Sequence, residues 1–138
     1  MTAITNEGRG VLAIRIDGVA GITGGAQGAI ANPEGVDVQI LRTTLVVHTA
    51  STAAGNITIG IAADAVTSAN DIIDALAMGS VTAQTVYNGH AMQNTTKTAI
   101  TVPALWTATK YLTITGSSSL VGLEATLFVD YLRVDEPA

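Results

Sequence analysis

The chain has 138 residues, about one domain by length, and carries a formal net charge of −5 with 12% charged and 48% hydrophobic residues. It has no cysteine, which excludes a disulfide framework, a thiolate metal site and a cysteine nucleophile. Its six basic residues, Arg9, Arg15, Arg42, Lys97, Lys110 and Arg133, are scattered, so no cationic patch for nucleic acid is expected. No apolar run approaches the roughly 20 residues of a membrane helix, and the opening MTAITNEGRG lacks a signal-peptide layout.

Val11–Asp17 reads as a strand with Leu12, Ile14 and Ile16 on one side and Val11, Ala13, Arg15 and Asp17 on the other. The glycine- and alanine-rich stretch Gly18–Gly35 follows, a composition read as a linker that holds no regular element. Residues 1–35 are therefore expected to form an N-terminal arm and linker, and residues 36–138 a β domain. VDVQILRTTLVVH puts Leu41, Thr43, Leu45 and Val47 on one face, with Arg42, Thr44, Val46 and His48 on the other. Asn56–Ala63 turns Ile57, Ile59 and Ile61 inward, and these two strands are expected to pair as a hairpin. Ser68–Asp71 followed by Ile72, Ile73, Leu76 and Ala77 predicts a short capped helical insert ending at Gly79.

Further strands are expected at Val81–Tyr87, Ala99–Val102, Lys110–Thr115 and Gly122–Val134, with a turn at Asn88-Gly89. In the last, Leu123, Ala125, Leu127, Val129 and Tyr131 alternate with Glu124, Thr126, Phe128, Asp130 and Leu132. Neither set is fully polar, which fits a central strand with one face in the core and the other against something else. Seven or eight short strands with frequent turns predict an all-β sandwich or barrel.

The motifs carry little chemistry. Gly8-Arg9-Gly10-Val11-Leu12-Ala13 has dinucleotide-like spacing but precedes a strand, whereas that motif opens a helix. His48 and His90 each lack a second ligand nearby. The oxygen-rich run with Asp64, Asn70, Asp71 and Asp74 lacks the ligand order of a calcium loop and reads as capping. Ser117, Ser118 and Ser119 are not set in a nucleophile elbow. No catalytic residue, cofactor or metal is assigned, and no enzyme activity is expected. The single tryptophan, Trp106, is either a core anchor or an interface hot spot; with Phe128 and Tyr131 it makes up the candidate subunit interface.

A folded chain of this mass exposes about 6,700 Å2, or about one charge per 400 Å2 here, which is thin solvation for a lone particle. Symmetric self-association would cover part of it. The runs ITIGIAADAVTSANDIIDALAMG and LWTATKYLTITGSSSLVGLEATLFVDYLRV resemble the small head decoration (cement) and related capsid-associated proteins of tailed bacteriophages. The likeness spans residues 36–134. It lies in the strand order, the acidic helical insert, the tryptophan before a KYLTIT-like strand and the long closing strand. The resemblance implies a jelly-roll-like sandwich, usually a homotrimer, on the outer surface of the capsid, bridging neighbouring major capsid proteins. On that reading the arm, through Ile4, Arg9, Leu12, Ile14, Arg15 and Ile16, contacts the shell or a neighbouring copy. The alternative is a receptor- or glycan-binding module using the loops 49–55, 88–94 and 117–120.

Overall fold

In a computed structural model, residues 9–18, 26–79, 84–88, 92–93, 105–117 and 119–134 are described. They form two β-sheets and no helix. Ten strands run in chain order: β1 (Arg9–Asp17), β2 (Ala26–Ala31), β3 (Val38–Thr49), β4 (Asn56–Ala62), β5 (Ile73–Ala77), β6 (Thr85–Asn88), β7 (Met92–Gln93), β8 (Leu105–Trp106), β9 (Tyr111–Gly116) and β10 (Glu124–Arg133). Sheet I has the order β1-β10-β3-β6, with β8 also on β3, and sheet II the order β2-β9-β4-β5-β7. All pairings are antiparallel except β5 with β7. The long-range pairings are nested: β1 lies beside β10, β2 beside β9, β3 beside β6 and β4 beside β5.

The inner faces of both sheets meet in one core. Sheet I supplies Ile14, Ile16, Val38, Ile40, Leu45, Val47, Leu127 and Val129, and sheet II supplies Ile57, Ile59, Ile73, Leu112 and Ile114. This is a β-sandwich arrangement, in which alternate residues of each strand are withdrawn from water. The alternation expected in β10 is present: Leu123, Ala125, Leu127, Val129 and Tyr131 are buried, while Glu124, Phe128 and Leu132 are exposed.

Several expectations are corrected. Within the expected arm and linker, residues 9–17 and 26–31 are sheet strands. β1 pairs over its whole length with β10. β2 pairs with β9 through backbone hydrogen bonds that need no large side chain, so its alanine and glycine content did not announce it. The link between the sheets after β2 is built by Asn32. Its amide donates to the carbonyls of Val36 at 2.9 Å and Trp106 at 3.0 Å, and its oxygen accepts from the amides of Glu34 and Gly35. Gly35 takes the left-handed φ of 70° that this turn requires.

β3 and β4 do not form a hairpin, because the segment between them crosses from sheet I to sheet II. Within β3 the face changes at a bulge: Asp130 lies opposite Arg42, but Tyr131 lies opposite Ile40. Leu41 is the extra residue, and Ile40 rather than Leu41 enters the core.

No helix forms at Ser68–Gly79. The Ser68 hydroxyl bonds Thr115 at 2.9 Å, and the Asp71 carboxylate accepts the amide of Ile61 at 2.9 Å instead of capping a helix. Ile72 and Ile73 are both buried, and β5 bulges against β4 with Ala75 at φ 53° and its amide donating to the Thr58 hydroxyl. The expected strand at Ala99–Val102 lies outside the described residues, as do positions 81–83 of the one expected at Val81–Tyr87.

The segment 63–71 folds back over the outer face of sheet II. Gly60 allows this: a Cβ there would overlap the backbone of Ala69 and approach the amide nitrogen of Asn70 to 2.7 Å. Beneath this cover Thr113 and Thr115, on the side of the sheet opposite Leu112 and Ile114, are buried. Gly60→Ala is expected to lower stability by about 1–3 kcal/mol through overpacking, read as a fall in melting temperature. Amides of residues 64–72 should exchange faster in the variant, whereas those of β10 should keep their relative protection.

Candidate functional site

The outer face of sheet I has no such cover among the described residues. Register sets three cross-strand rows on it: Val11, Asp130 and Arg42; Ala13, Phe128 and Thr44; Arg15, Thr126, Val46 and Val86. Residues directly opposite one another in a sheet share a face. This face therefore gathers Val11, Val86, Phe128 and Leu132, all exposed large apolar side chains, with Val46 half-buried between them. A shallow groove of about 350 Å3 runs along it, lined by Val11, Arg42, Thr44, Val46, Phe128 and Asp130. Its polar floor is the Arg42–Asp130 ion pair at 3.5 Å, and His48 bonds the Thr126 hydroxyl at 3.0 Å near one end. Apolar and threonine side chains with one neutralised ion pair suit burial against another protein surface.

The predicted site residues divide according to burial. Phe128 stands on the open face, 39% exposed. Trp106 does not belong to an interface. It is wholly buried, and its indole N–H donates to the carbonyl of Lys110 at 3.0 Å. Tyr131 is buried too, its ring lying over Gly10, where any side chain would collide with it, and its hydroxyl donating to the Glu34 carboxylate at 2.6 Å. Ile14 and Ile16 are used up in the chain's own core, Leu12 packs partly against it, and Arg15 is exposed and paired with Asp17 at 3.1 Å. Arg9 opens β1, and Ile4 lies outside the described residues. Val11, Val46 and Val86 were missed as site residues. The register that aligns them with Phe128 is the missing signal, because no single strand contains it.

The remaining polar candidates serve the fold. The Asp64 carboxylate accepts the amides of Val66 and Thr67 and the hydroxyl of Thr67, and these bonds, that of the Val66 amide foremost, hold its pKa below the usual carboxylate value. Asp74 is buried in β5, and no cluster of metal-ligating side chains occurs among the described residues. The loops around 49–55 and 117–122 brace one end of the sandwich. The hydroxyls of Ser51 and Thr52 donate to the Val121 carbonyl, while those of Ser117 and Ser119 accept the amides of Asn56 and Val121. Ser118 and His90 lie outside the described residues. Among the described residues no helix is long and apolar enough to cross a membrane.

Comparison with protein-family models, with curated proteins and with solved structures finds no significant match to this chain.

The hydrogen bond to Glu34, with burial and the charge of that carboxylate adding to it, pushes the Tyr131 phenol up to about 12. A phenol whose pKa is raised on folding contributes stability that is complete below its unfolded value near 10 and is lost as pH rises through the folded value. Ultraviolet titration should therefore show one tyrosine ionising near 12. Tyr131→Phe should remove that step and cost about 1–2 kcal/mol at neutral pH, the range for one hydrogen bond to a partly solvated charge.

Proposed function

We propose that this chain is a virion structural protein of the capsid-decoration class, a jelly roll that binds as a homotrimer to the outside of a tailed-phage shell across neighbouring major capsid proteins. The observation that carries the reading is the asymmetry of the sandwich: sheet II is covered by its own chain, and sheet I leaves Val11, Val86, Phe128 and Leu132 in water. Three further points support it. The first is the resemblance over residues 36–134 set out above. The second is the nested pairing of β1 with β10, β2 with β9, β3 with β6 and β4 with β5, the pattern of a rolled-up hairpin that an eight-stranded jelly roll requires. The third is the charge-poor exterior, which favours a chain that spends its working life in an assembly.

On this reading the protein acts by mass action. It binds the assembled shell and not its separated subunits, which shifts the equilibrium toward the shell. Several such contacts per trimer add through avidity, so each one needs only moderate strength. The open face of sheet I forms the contact, with Phe128 as its central anchor and the Arg42–Asp130 pair at its side.

Co-sedimentation with emptied shells tests this. Phe128→Lys should fold normally and reduce shell occupancy by about 30-fold at sub-saturating concentration, the effect of losing one interface anchor worth about 2 kcal/mol. Undiminished occupancy of the variant, or a wild-type chain that never sediments with shells, removes the proposal.

A further inference from the structure

A second surface is available at the edge of sheet I. β1 is a nine-residue strand with no register shift along its pairing with β10. On its other side no strand pairs with it among the described residues. The Gly18 amide donates to the Leu123 carbonyl at 2.8 Å, continuing the register that sets Asp17 opposite Glu124. Alternate residues of an antiparallel strand direct both backbone groups to the same neighbour. The even-numbered residues of β1 therefore bond β10, and Val11, Ala13, Arg15 and Asp17 present their N–H and C=O groups to the free edge. A long, regular edge of this kind is a template for another strand, and natural sheets block such edges with bulges, prolines or inward-pointing charges. β1 has none of these among its described side chains. Its inward residues Leu12, Ile14 and Ile16 are apolar, and its charged pair Arg15–Asp17 faces outward and is internally neutralised.

We infer that β1 pairs antiparallel with β1 of a second copy about a two-fold axis at Ala13, joining the two copies of sheet I into one continuous sheet. Three observations select a second copy as the occupant. Centring on Ala13 overlaps the strand along its full length and sets every edge-facing residue opposite another, with Val11 facing Arg15 of the second copy and Ala13 facing Ala13, so the backbone groups match throughout. The same alignment sets Leu12 of one copy opposite Ile14 of the other on the inner side. There the sandwich has a side cleft of about 170 Å3 between the edges of β1 and β2, with Ile14, Ile16, Ile30 and Ile114 in its walls; the incoming Leu12 extends the core over that opening. Finally, Arg15 is paired with Asp17 within the edge, and the alignment sets the remaining charged residue of β1, Arg9, opposite Asp17 of the second copy, so no like charges face each other. Backbone bonds supply the attraction and the apolar inner face sets the register. This pairing does not rest on the capsid reading. It uses the edge of sheet I and leaves the groove beside Phe128 open, so it is compatible with three-fold association through other surfaces.

Sedimentation equilibrium on the whole chain tests the pairing with two substitutions at one position. Wild type should assemble to an even multiple of the 14.0 kDa chain. Ala13→Pro removes an edge-facing donor and should halve the particle mass, with a dissociation constant for the paired form raised about tenfold or more. Ala13→Val keeps the donor and adds bulk only on the outer face, so it should retain the wild-type mass. An odd or monomeric wild-type mass, equal masses for wild type and Ala13→Pro, or loss of pairing in Ala13→Val overturns the inference. Hydrogen exchange on wild type answers the same question should the proline variant not fold. The amides of Val11, Ala13 and Arg15 should be protected at high concentration and lose that protection on dilution. Amides that exchange freely at every concentration overturn it as well.

Discussion

The arrangement of this protein depends on the close contact of Gly60 with the backbone of Ala69. A sandwich has two outer faces, and each must be wetted, covered by its own chain or covered by another. Because Gly60 projects nothing, the segment 63–71 lies directly on sheet II and buries Thr113 and Thr115. Polar groups beside this cover are bonded to it: Thr115 to Ser68 and the Ile61 amide to the Asp71 carboxylate. A buried polar group left unbonded costs about 1–3 kcal/mol, so the cover is stable only because these partners converge. Sheet I has no comparable segment among the described residues, and its apolar outer side chains stay open.

That difference gives the low charge content a location. Sparse charge spread over a whole surface says only that something is covered. Here the exposed apolar side chains concentrate where β1, β10, β3 and β6 run side by side, around one neutralised ion pair. The outer edge of β1, with which no strand among the described residues pairs, adds backbone groups next to the same sheet. The face offers shape and apolar area and the edge offers directional hydrogen bonds, so the two features can serve different contacts in one assembly.

Much of the fold was legible in strands that bury one face and whose period is undisturbed. β10 alternates along its whole length as expected, although the alternation alone did not say which set enters the core, and Ile57 and Ile59 of β4 are buried as expected; Ile14 and Ile16 of β1, expected to contact a partner, are buried in the chain's own core. Legibility failed where a local feature interrupts the period or where a partner decides the outcome. The bulge at Leu41 exchanged the two faces of β3 in mid-strand. The 68–79 segment has helix-like spacing of apolar residues, yet the pairing of β5 with β4 and the burial of two adjacent isoleucines prevailed over local propensity. β2 was unreadable because its small residues have no pattern and its stability comes from the backbone of β9. Of the candidate interface residues, Phe128 is exposed and is one of two apolar side chains, with Leu132, in the outward set of β10. Trp106 and Tyr131 were misassigned because an aromatic side chain gives the same sequence signal in a core as at an interface, and only the hydrogen-bond partners, Lys110 and Glu34, separate the two.

In the proposed decoration role, sheet I and not sheet II meets the partner. Hydroxyl-radical footprinting of the protein free and bound to emptied shells measures this directly. The account predicts that Phe128 and Leu132 are labelled in the free chain and protected on the shell, while Val66 at the tip of the covering segment is labelled in both. Protection of Val66 with unchanged labelling of Phe128 would contradict it.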